Sequence, residues 1–494
     1  MSTSPKNTSL NKDAFLNQIN HENLHFHTIP NFGTPGKTVK KIIDNKKQLD
    51  FAPTLNTSSY VQVDFDPIED DLLIDSAMIN IADQTIYPHA FQIHDECVSM
   101  IARLWHCPEP NDGVFAGAGT VGSTEACLLA ALALKFRWRA WYAQKHQLSA
   151  HELLAIKPNL VISSCFQAAW EKVFRYLDIE PRIVTVNHNQ WILDPEKLDA
   201  LVDEQTIGVV AIMGNHYSGH FDPVHKIDQA LNSINQRKKL NVGIHVDAAS
   251  GGFIAPFLDG VPEWDFRLKH VLSISSSGHK YGEARIGTGW IIWRQRQSLS
   301  EYVSVNVSYL GGHADSYTLN FSRPASGVFS QYYKLLHFGK AGYQAMTEST
   351  MANAMYLRKA LLSLTHQDKP RFLCLDQGGT LGLPVVAMRL NPECHLNYND
   401  IDLQNILSKS HWYVSGYQMQ FEHPLSQMLS PLLSDTSMEE SMFRVVIKSH
   451  LTQPMLDDLI AAFKDALAFL DHHGSLIDSS MIKSYKRKVT TNHC

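Results

Sequence analysis

Paired cysteines are missing from this chain. Its seven thiols, Cys97, Cys107, Cys127, Cys165, Cys374, Cys394 and Cys494, are scattered, odd in number and never spaced Cys-x-x-Cys. That argues against a disulfide framework or a zinc site and suits a reducing cytoplasm. Also missing is any apolar run near the ~20 residues that span a bilayer. Residues 1–30 are polar and His/Asn-rich, without the apolar core of a secretion signal. Neither sign of charge dominates: 43 Lys and Arg against 49 Asp and Glu leave a net charge of −6 over 494 residues. No global field therefore favours nucleic acid or an anionic membrane. No internal repeat or low-complexity block occurs. With 44% hydrophobic and 19% charged residues, the chain reads as a globular enzyme acting on a small molecule, large enough for about two to four domains.

What is present is an alternation of short β-branched runs with amphipathic stretches. Strands are expected at Asn159–Ser163, Arg182–Val186, Ile207–Met213, Val242–Val246 and Val271–Ser275. Helices are expected at His94–Trp105, Ala126–Tyr142, Gln167–Leu177, Pro195–Val202 and Pro223–Lys239. The pattern predicts an α/β body with a mainly parallel sheet covered on both faces, with ligands beyond the carboxyl ends of the strands. Strands at Val385–Leu390 and Arg444–Ile447, with helices near 352–364, Asp402–Ser408 and Pro454–Leu470, predict a smaller C-terminal α/β domain. The expected division is an N-terminal arm over 1–60, a large domain over 61–343, the small domain over 344–474 and a basic tail over 475–494. The arm, broken by Pro30, Pro35 and Pro53, reads as extended, and the acidic run Asp64–Asp71 as a solvated face.

The chemistry gathers around Lys280. It lies in Ser277-Gly-His-Lys-Tyr-Gly282, a Gly-bounded loop between two expected strands, the second over Gly287–Arg294. Lysine amines condense with carbonyl groups, and the commonest carbonyl cofactor held in this way is pyridoxal phosphate. Such a cofactor needs an acid at its pyridine nitrogen and donors for its phosphate. Asp247 follows the strand Val242–Val246 and precedes Ala248-Ala249-Ser250-Gly251-Gly252, small enough for close approach by a planar ligand. Gly117-Ala-Gly-Thr-Val-Gly-Ser123-Thr124 leads into a helix. Free N–H groups, hydroxyls and the positive dipole end there suit a phosphate, although an ordinary N-cap has the same appearance. Asn80 and Asp83, before Tyr87-Pro88, read equally as turn residues.

Taken together, these residues resemble the glutamate decarboxylases, which are group II pyridoxal-phosphate-dependent decarboxylases with the aspartate aminotransferase-type fold. The resemblance is carried by Gly122-Ser-Thr-Glu-Ala-Cys127, the fourteen-residue run Ile244–Phe257, Trp264–Leu268, Ser277–Tyr281, Tyr309-Leu-Gly-Gly312, Asn320-Phe-Ser322 and Gln331-Tyr-Tyr333. The second of these is the most specific, and similarity is strongest from Tyr87 to Tyr343. It implies Lys280 as the Schiff-base lysine and Asp247 as the partner of the pyridine nitrogen. Ser123, Thr124, Ser277 and His279 would hold the phosphate, with Ser322 reaching in from a second subunit, hence a homodimer or larger homo-oligomer with sites at the interface. Gln167 matches a side chain packed over the ring, and Arg444 the arginine that binds the substrate α-carboxylate. Asn80, Asp83, Ser59 and Tyr60 match the region around the distal carboxylate. Tyr309 is a candidate for delivering a proton to Cα. The implied reaction is α-decarboxylation of L-glutamate to 4-aminobutyrate and carbon dioxide, expected to be favoured by mild acid because Asp83 near a substrate carboxylate is tolerable only if one of the two is protonated or a strong donor intervenes. It consumes a proton, which fits acid stress, and it implies no metal. His493 stands in a tail where bacterial members carry a histidine that shuts the site near neutrality, but a frayed end is the simpler reading.

Three residues depart from the family pattern. His216, in Gly214-Asn-His-Tyr-Ser-Gly219, stands where the family usually has threonine beside the cofactor. Glu283 and Arg285 replace residues that are usually uncharged. The two charges are expected to pair with each other and be inert. If they reshape the pocket instead, the substrate is another amino acid. A cofactor-binding scaffold without turnover is the third reading, weakened because every main chemical position is filled.

Overall fold

The computed structural model describes residues 28–474, except 65, 297–304, 308–313, 317 and 377–380. It divides into two units at Phe51. In the first unit Gly36–Lys47 is a helix, which corrects the extended arm expected there. No proline falls between Pro35 and Pro53, so the helix entered from Pro35 runs on through the Lys40–Asp44 pair one turn apart.

The second unit is built on seven strands: β1 Gly117–Thr120, β2 Asn159–Ser163, β3 Glu180–Val184, β4 Thr206–Ile212, β5 Gly243–Asp247, β6 Val271–Ser276 and β7 Gly289–Trp293. Their order is β1-β7-β6-β5-β4-β2-β3. The run from β6 to β3 is parallel, while β7 is antiparallel to both of its neighbours. Every residue of β2, β4, β5 and β7 is buried, as a sheet covered on both faces requires. The expected strands fall within two residues of those observed. β1 is not among the expected strands, because Gly-Ala-Gly-Thr lacks bulky β-branched residues. The glycines are steric necessities: a Cβ on Gly117 would lie 2.7 Å from both Ile292 and Val98. The helix expected at Pro195–Val202 is a 3₁₀ turn followed by the single turn Leu198–Leu201.

The C-terminal part has a four-stranded antiparallel sheet, ordered Phe372–Cys374, Val385–Leu390, Ser441–Val446, Ser415–Gln418. Helices Asp400–Leu407 and Gln453–His473 share its core with Phe372, Phe443 and Phe463. The helix Ser326–Leu362 joins both cores, with Val328 and Tyr343 in the large one and Leu357 and Leu361 in the small one. It is broken at Gly339, whose φ of 56° leaves the helical region.

The acidic run is not simply a solvated face. Asp66 caps the helix Pro67–Ser76, accepting from Ile68 N at 3.0 Å. The helical phase then turns Glu69 inward, fully buried against Lys334 Nζ at 3.0 Å and Ser330 Oγ at 2.5 Å. No described helix is long and apolar enough to cross a membrane.

Candidate active site

Lys280 sits on the connection between antiparallel β6 and β7, at the carboxyl end of β6. Glu283 N donates to Lys280 O at 3.1 Å and Ala284 N to Gly278 O at 3.0 Å, so the lysine lies on a tight turn. Gly282 has no room for a side chain, since a Cβ would lie 2.6 Å from Gly278 O. Its carbonyl accepts from Gln331 Nε2 at 3.0 Å and Tyr343 Oη at 2.9 Å. Lys280 Nζ donates to Ser250 Oγ at 3.1 Å and stands 5.3 Å from the centre of the Tyr60 ring. Burial brings its pKa down to about 8, Asp247 opposing this and Arg444 adding to it. About a tenth of the amine is therefore neutral and nucleophilic at pH 7.

Asp247 closes β5. Its Oδ2 accepts from Trp170 Nε1 at 2.7 Å and its Oδ1 from Ala249 N at 3.0 Å, which fixes the orientation of the carboxyl group. Trp170 comes from the helix Ala168–Tyr176. Two residues back on β5, on the same face, His245 is wedged between Ser273 Oγ at 2.8 Å and Ser275 Oγ at 3.1 Å. Burial takes its pKa to about 4, so it is neutral. Trp170, His245 and Ser250 were missed in the sequence, although His245-x-Asp247 on an alternating strand is a usable signal.

Ser123 and Thr124 open the helix Ser123–His146 behind Gly122, whose φ of 137° needs glycine. A Cβ on Gly122 would come within 3.2 Å of His279, and one on Gly289 within 2.6 Å of Gly122 itself. His279 Nδ1 accepts from Thr288 N at 3.2 Å, which leaves Nε2 as the donor. Burial takes this histidine to about 4 as well. Ser277 Oγ is buried and has no hydrogen-bond partner. Helix-end N–H groups, a neutral imidazole N–H and an unsatisfied serine hydroxyl around a cradle kept open by glycines fit a phosphate monoester.

Arg444, on the strand Ser441–Val446, is fully buried. Its Nη1 donates to His216 O and its Nη2 to Ser58 O at 2.6 Å, and its Cζ lies 4.8 Å from the centre of the Tyr60 ring. Nε has no partner, and no carboxylate pairs with this guanidinium among the described residues. A buried cation held by neutral carbonyls and the Tyr60 side chain, with Nε open, suits an anion.

Residues 37–390 match the pyridoxal-dependent decarboxylase conserved domain. The chain is 35% identical over 449 residues to a glutamate decarboxylase of Petunia hybrida, covering 90% of this chain and 84% of that one. It is 40% identical over 365 residues to a glutamate decarboxylase of Lactococcus lactis subsp. cremoris, covering 74% and 76%. The solved structure of a Lactobacillus brevis glutamate decarboxylase superposes with a TM-score of 0.82 at 33% identity, covering 92% and 97%. The chain belongs to the pyridoxal-dependent decarboxylase family.

In this decarboxylase the expected site residues fall into two groups. Lys280, Asp247, Ser277, His279, Ser123, Thr124, Tyr60 and Arg444 converge at the carboxyl ends of β5 and β6 and on the segments packed over them. Ser59 lies between the Arg444-bound Ser58 and Tyr60, its Oγ accepting from Val61 N at 3.2 Å. Gln167 is half-buried at the start of the Trp170 helix. Asn80, Asp83 and Ser322 form a separate group. Asn80 Nδ2 donates to Ser322 Oγ at 3.3 Å, Asp83 N to Asn80 O at 3.0 Å, and no described contact links the three to Lys280. Tyr309 and His493 lie outside the described residues.

The departures are also placed. Glu283 and Arg285 do not pair with each other, contrary to expectation. Arg285 turns to Glu69 at 3.3 Å and Asp70 at 2.7 Å, while Glu283 accepts from Ser449 Oγ at 2.9 Å. A left-handed Glu283, at φ 62°, sends the two side chains apart. His216 stacks at a tilt 6.0 Å from the Tyr60 ring, and burial with the charges of Arg444 and Lys280 holds its pKa well below the ordinary imidazole range.

Proposed function

We propose that this decarboxylase removes the α-carboxylate of L-glutamate to give 4-aminobutyrate and carbon dioxide. The observation that carries the reading is the convergence of an amine-bearing Lys280 and an anion-seeking Arg444 on the same Tyr60 ring, at 5.3 and 4.8 Å. The choice of glutamate is supported by the names of the Petunia and Lactococcus relatives. Pyridoxal phosphate, when bound, supplies the sink for the electron pair released as the bond from Cα to the carboxylate breaks. Ser123, Thr124, Ser277 and His279 hold its phosphate, Asp247 places a negative charge at its ring nitrogen, and Gln167 packs beside its ring. Lys280 would be the residue that holds it covalently, and its amine would stand beside Cα able to carry a proton. Arg444 orients the α-carboxylate, and Tyr60 fills the space between the two cations and keeps water out. Tyr309 is our candidate for returning the proton to Cα.

Asn80, Asp83 and Ser322, clustered together but away from Lys280, serve the site of a neighbouring protomer in a homodimer or larger homo-oligomer. Support comes from the apolar side chains exposed around them: Ile86, Val121, Ile286 and Leu319. Six free cysteines among the described residues suit a reducing cytoplasm. We place the boundary between large and small domains at the Gly339 break, close to the expected 343. The neutral His216 beside Arg444 favours a second reading, a decarboxylase for a different amino acid. Offering the pyridoxal-phosphate-loaded protein a panel of amino acids at several pH values, and measuring carbon dioxide and amine, separates the two. Release from glutamate alone supports the first reading, and no release from glutamate sinks it.

A further inference from the structure

The turn that presents Lys280 is tethered at both ends to one residue. Gln62 N donates to His279 O at 2.9 Å, just before the lysine. Gln62 Nε2 donates to Ser449 Oγ at 2.9 Å, and Ser449 Oγ donates onward to Glu283 Oε2 at 2.9 Å, at the far end of the turn. The Gln62 amide oxygen is occupied by Val63 N at 2.6 Å and Asp64 N at 3.0 Å, so its amide nitrogen must face Ser449. The serine proton is then left for the glutamate, and the chain of donors has one direction. Gln62 stands two residues after Tyr60, and Ser449 five residues after Arg444.

We propose that Glu283 is a positioning residue, closing a ring of hydrogen bonds through Ser449 and Gln62 that fixes Lys280 relative to Tyr60 and Arg444. This rests on Lys280 being the cofactor lysine. The groups facing Glu283 are Lys334 and Tyr343 from the helix Ser326–Leu362, Glu69 from Pro67–Ser76, Asp64, Lys448, and Tyr281 on its own loop. Burial holds the Glu283 carboxyl up at about 7, the Ser449 bond and Lys334 pulling down and Asp64 and Glu69 pushing up. The ring is therefore closed by a neutral acid in mild acid. Above neutrality the carboxylate accepts the Ser449 proton more strongly, and the ring tightens.

The test is the rate at which apoprotein anchors added pyridoxal phosphate, followed by visible absorption at pH 6 and 8, with backbone hydrogen exchange over 279–283. Glu283→Gln keeps the acceptor without the charge. It is expected to match wild type at pH 6 and to fall about 5-fold below it at pH 8, where wild type alone offers Ser449 a charged acceptor. Glu283→Leu breaks the ring and is expected to be slow and fast-exchanging at both pH values. Ser449→Ala breaks the same ring from its other side and serves if Glu283→Leu does not fold. A wild-type to Glu283→Gln ratio that does not change with pH, or unchanged exchange in Ser449→Ala, overturns the proposal. Covalent anchoring that survives in Lys280→Ala overturns the lysine assignment instead, whatever Glu283 does.

Discussion

Trp170 gives its indole N–H to the Asp247 carboxylate at 2.7 Å, so a tryptophan resembling a core residue orients the acid proposed to face the cofactor's ring nitrogen. Trp170→Phe keeps the packing and removes the donor. Pyridoxal phosphate affinity is expected to fall about 10-fold, with about 1–3 kcal/mol lost from stability because Asp247 is left short of a partner. Equilibrium titration of apoprotein with the cofactor, alongside thermal unfolding, checks both.

Arg444 is not replaceable by lysine. Its Nη groups serve two carbonyls in a fixed plane while Nε remains open, and a lysine cannot reproduce that fork. In Arg444→Lys the KM for glutamate is expected to rise by about 30-fold or more, from about 2 kcal/mol of lost carboxylate binding. Cofactor absorption should be unchanged. A KM within a factor of two of wild type would remove the arginine from the substrate site.

Subunit mixing tests the separate placing of Ser322. Lys280→Ala lacks the anchor, and Ser322→Tyr blocks the neighbour's phosphate cradle. Each variant alone is expected to be inactive. Random pairing of the two in a dimer with composite sites restores one intact site in each hybrid, about a quarter of wild-type activity. No recovery on mixing would place Ser322 in its own chain's site.

Buried histidines and buried acids oppose one another in mild acid. His245 and His279, both near 4, stay neutral in the fold while the unfolded chain takes up protons, so they cost stability as pH falls below about 6.5. Asp222 and Glu283, near 7, keep protons that the unfolded chain releases, so they cost stability as pH rises from about 4 to 7. The melting temperature is therefore expected to be nearly flat between about pH 5 and 6.5, where the two sets cancel. Glu283→Gln removes one acid, and its stability relative to wild type should climb with pH over that range by up to about 1.4 kcal/mol per unit. Melting curves of both proteins across the range decide it.

Much of this was legible because the parallel strands are dense in Val and Ile, and because Lys280 and Asp247 follow strands at a sheet's ligand-binding end. What could not be read had physical causes. Gly117–Thr120 pairs with Trp290 and Ile292, whose bulk requires small partners, so a strand carried the composition of a loop. Glu69 belongs to an acidic run, and the cations Lys334 and Arg285, both far along the chain, make its burial tolerable. Glu283 and Arg285 were expected to meet because they are near in sequence, yet a left-handed backbone parts them. Trp170 reads as apolar filling until Asp247 is placed opposite its indole nitrogen.

The antiparallel pairing of β6 with β7 has a kinetic consequence. Ser276 pairs with Trp290 across a short reversal of the chain, so the lysine turn closes through local contacts with little loop entropy to overcome. Arg444 reaches Tyr60 only after the chain has returned from the other end of the fold. A newly made chain can thus pair β6 with β7 before the tethers through Gln62 and Ser449 close and before Arg444 meets Tyr60.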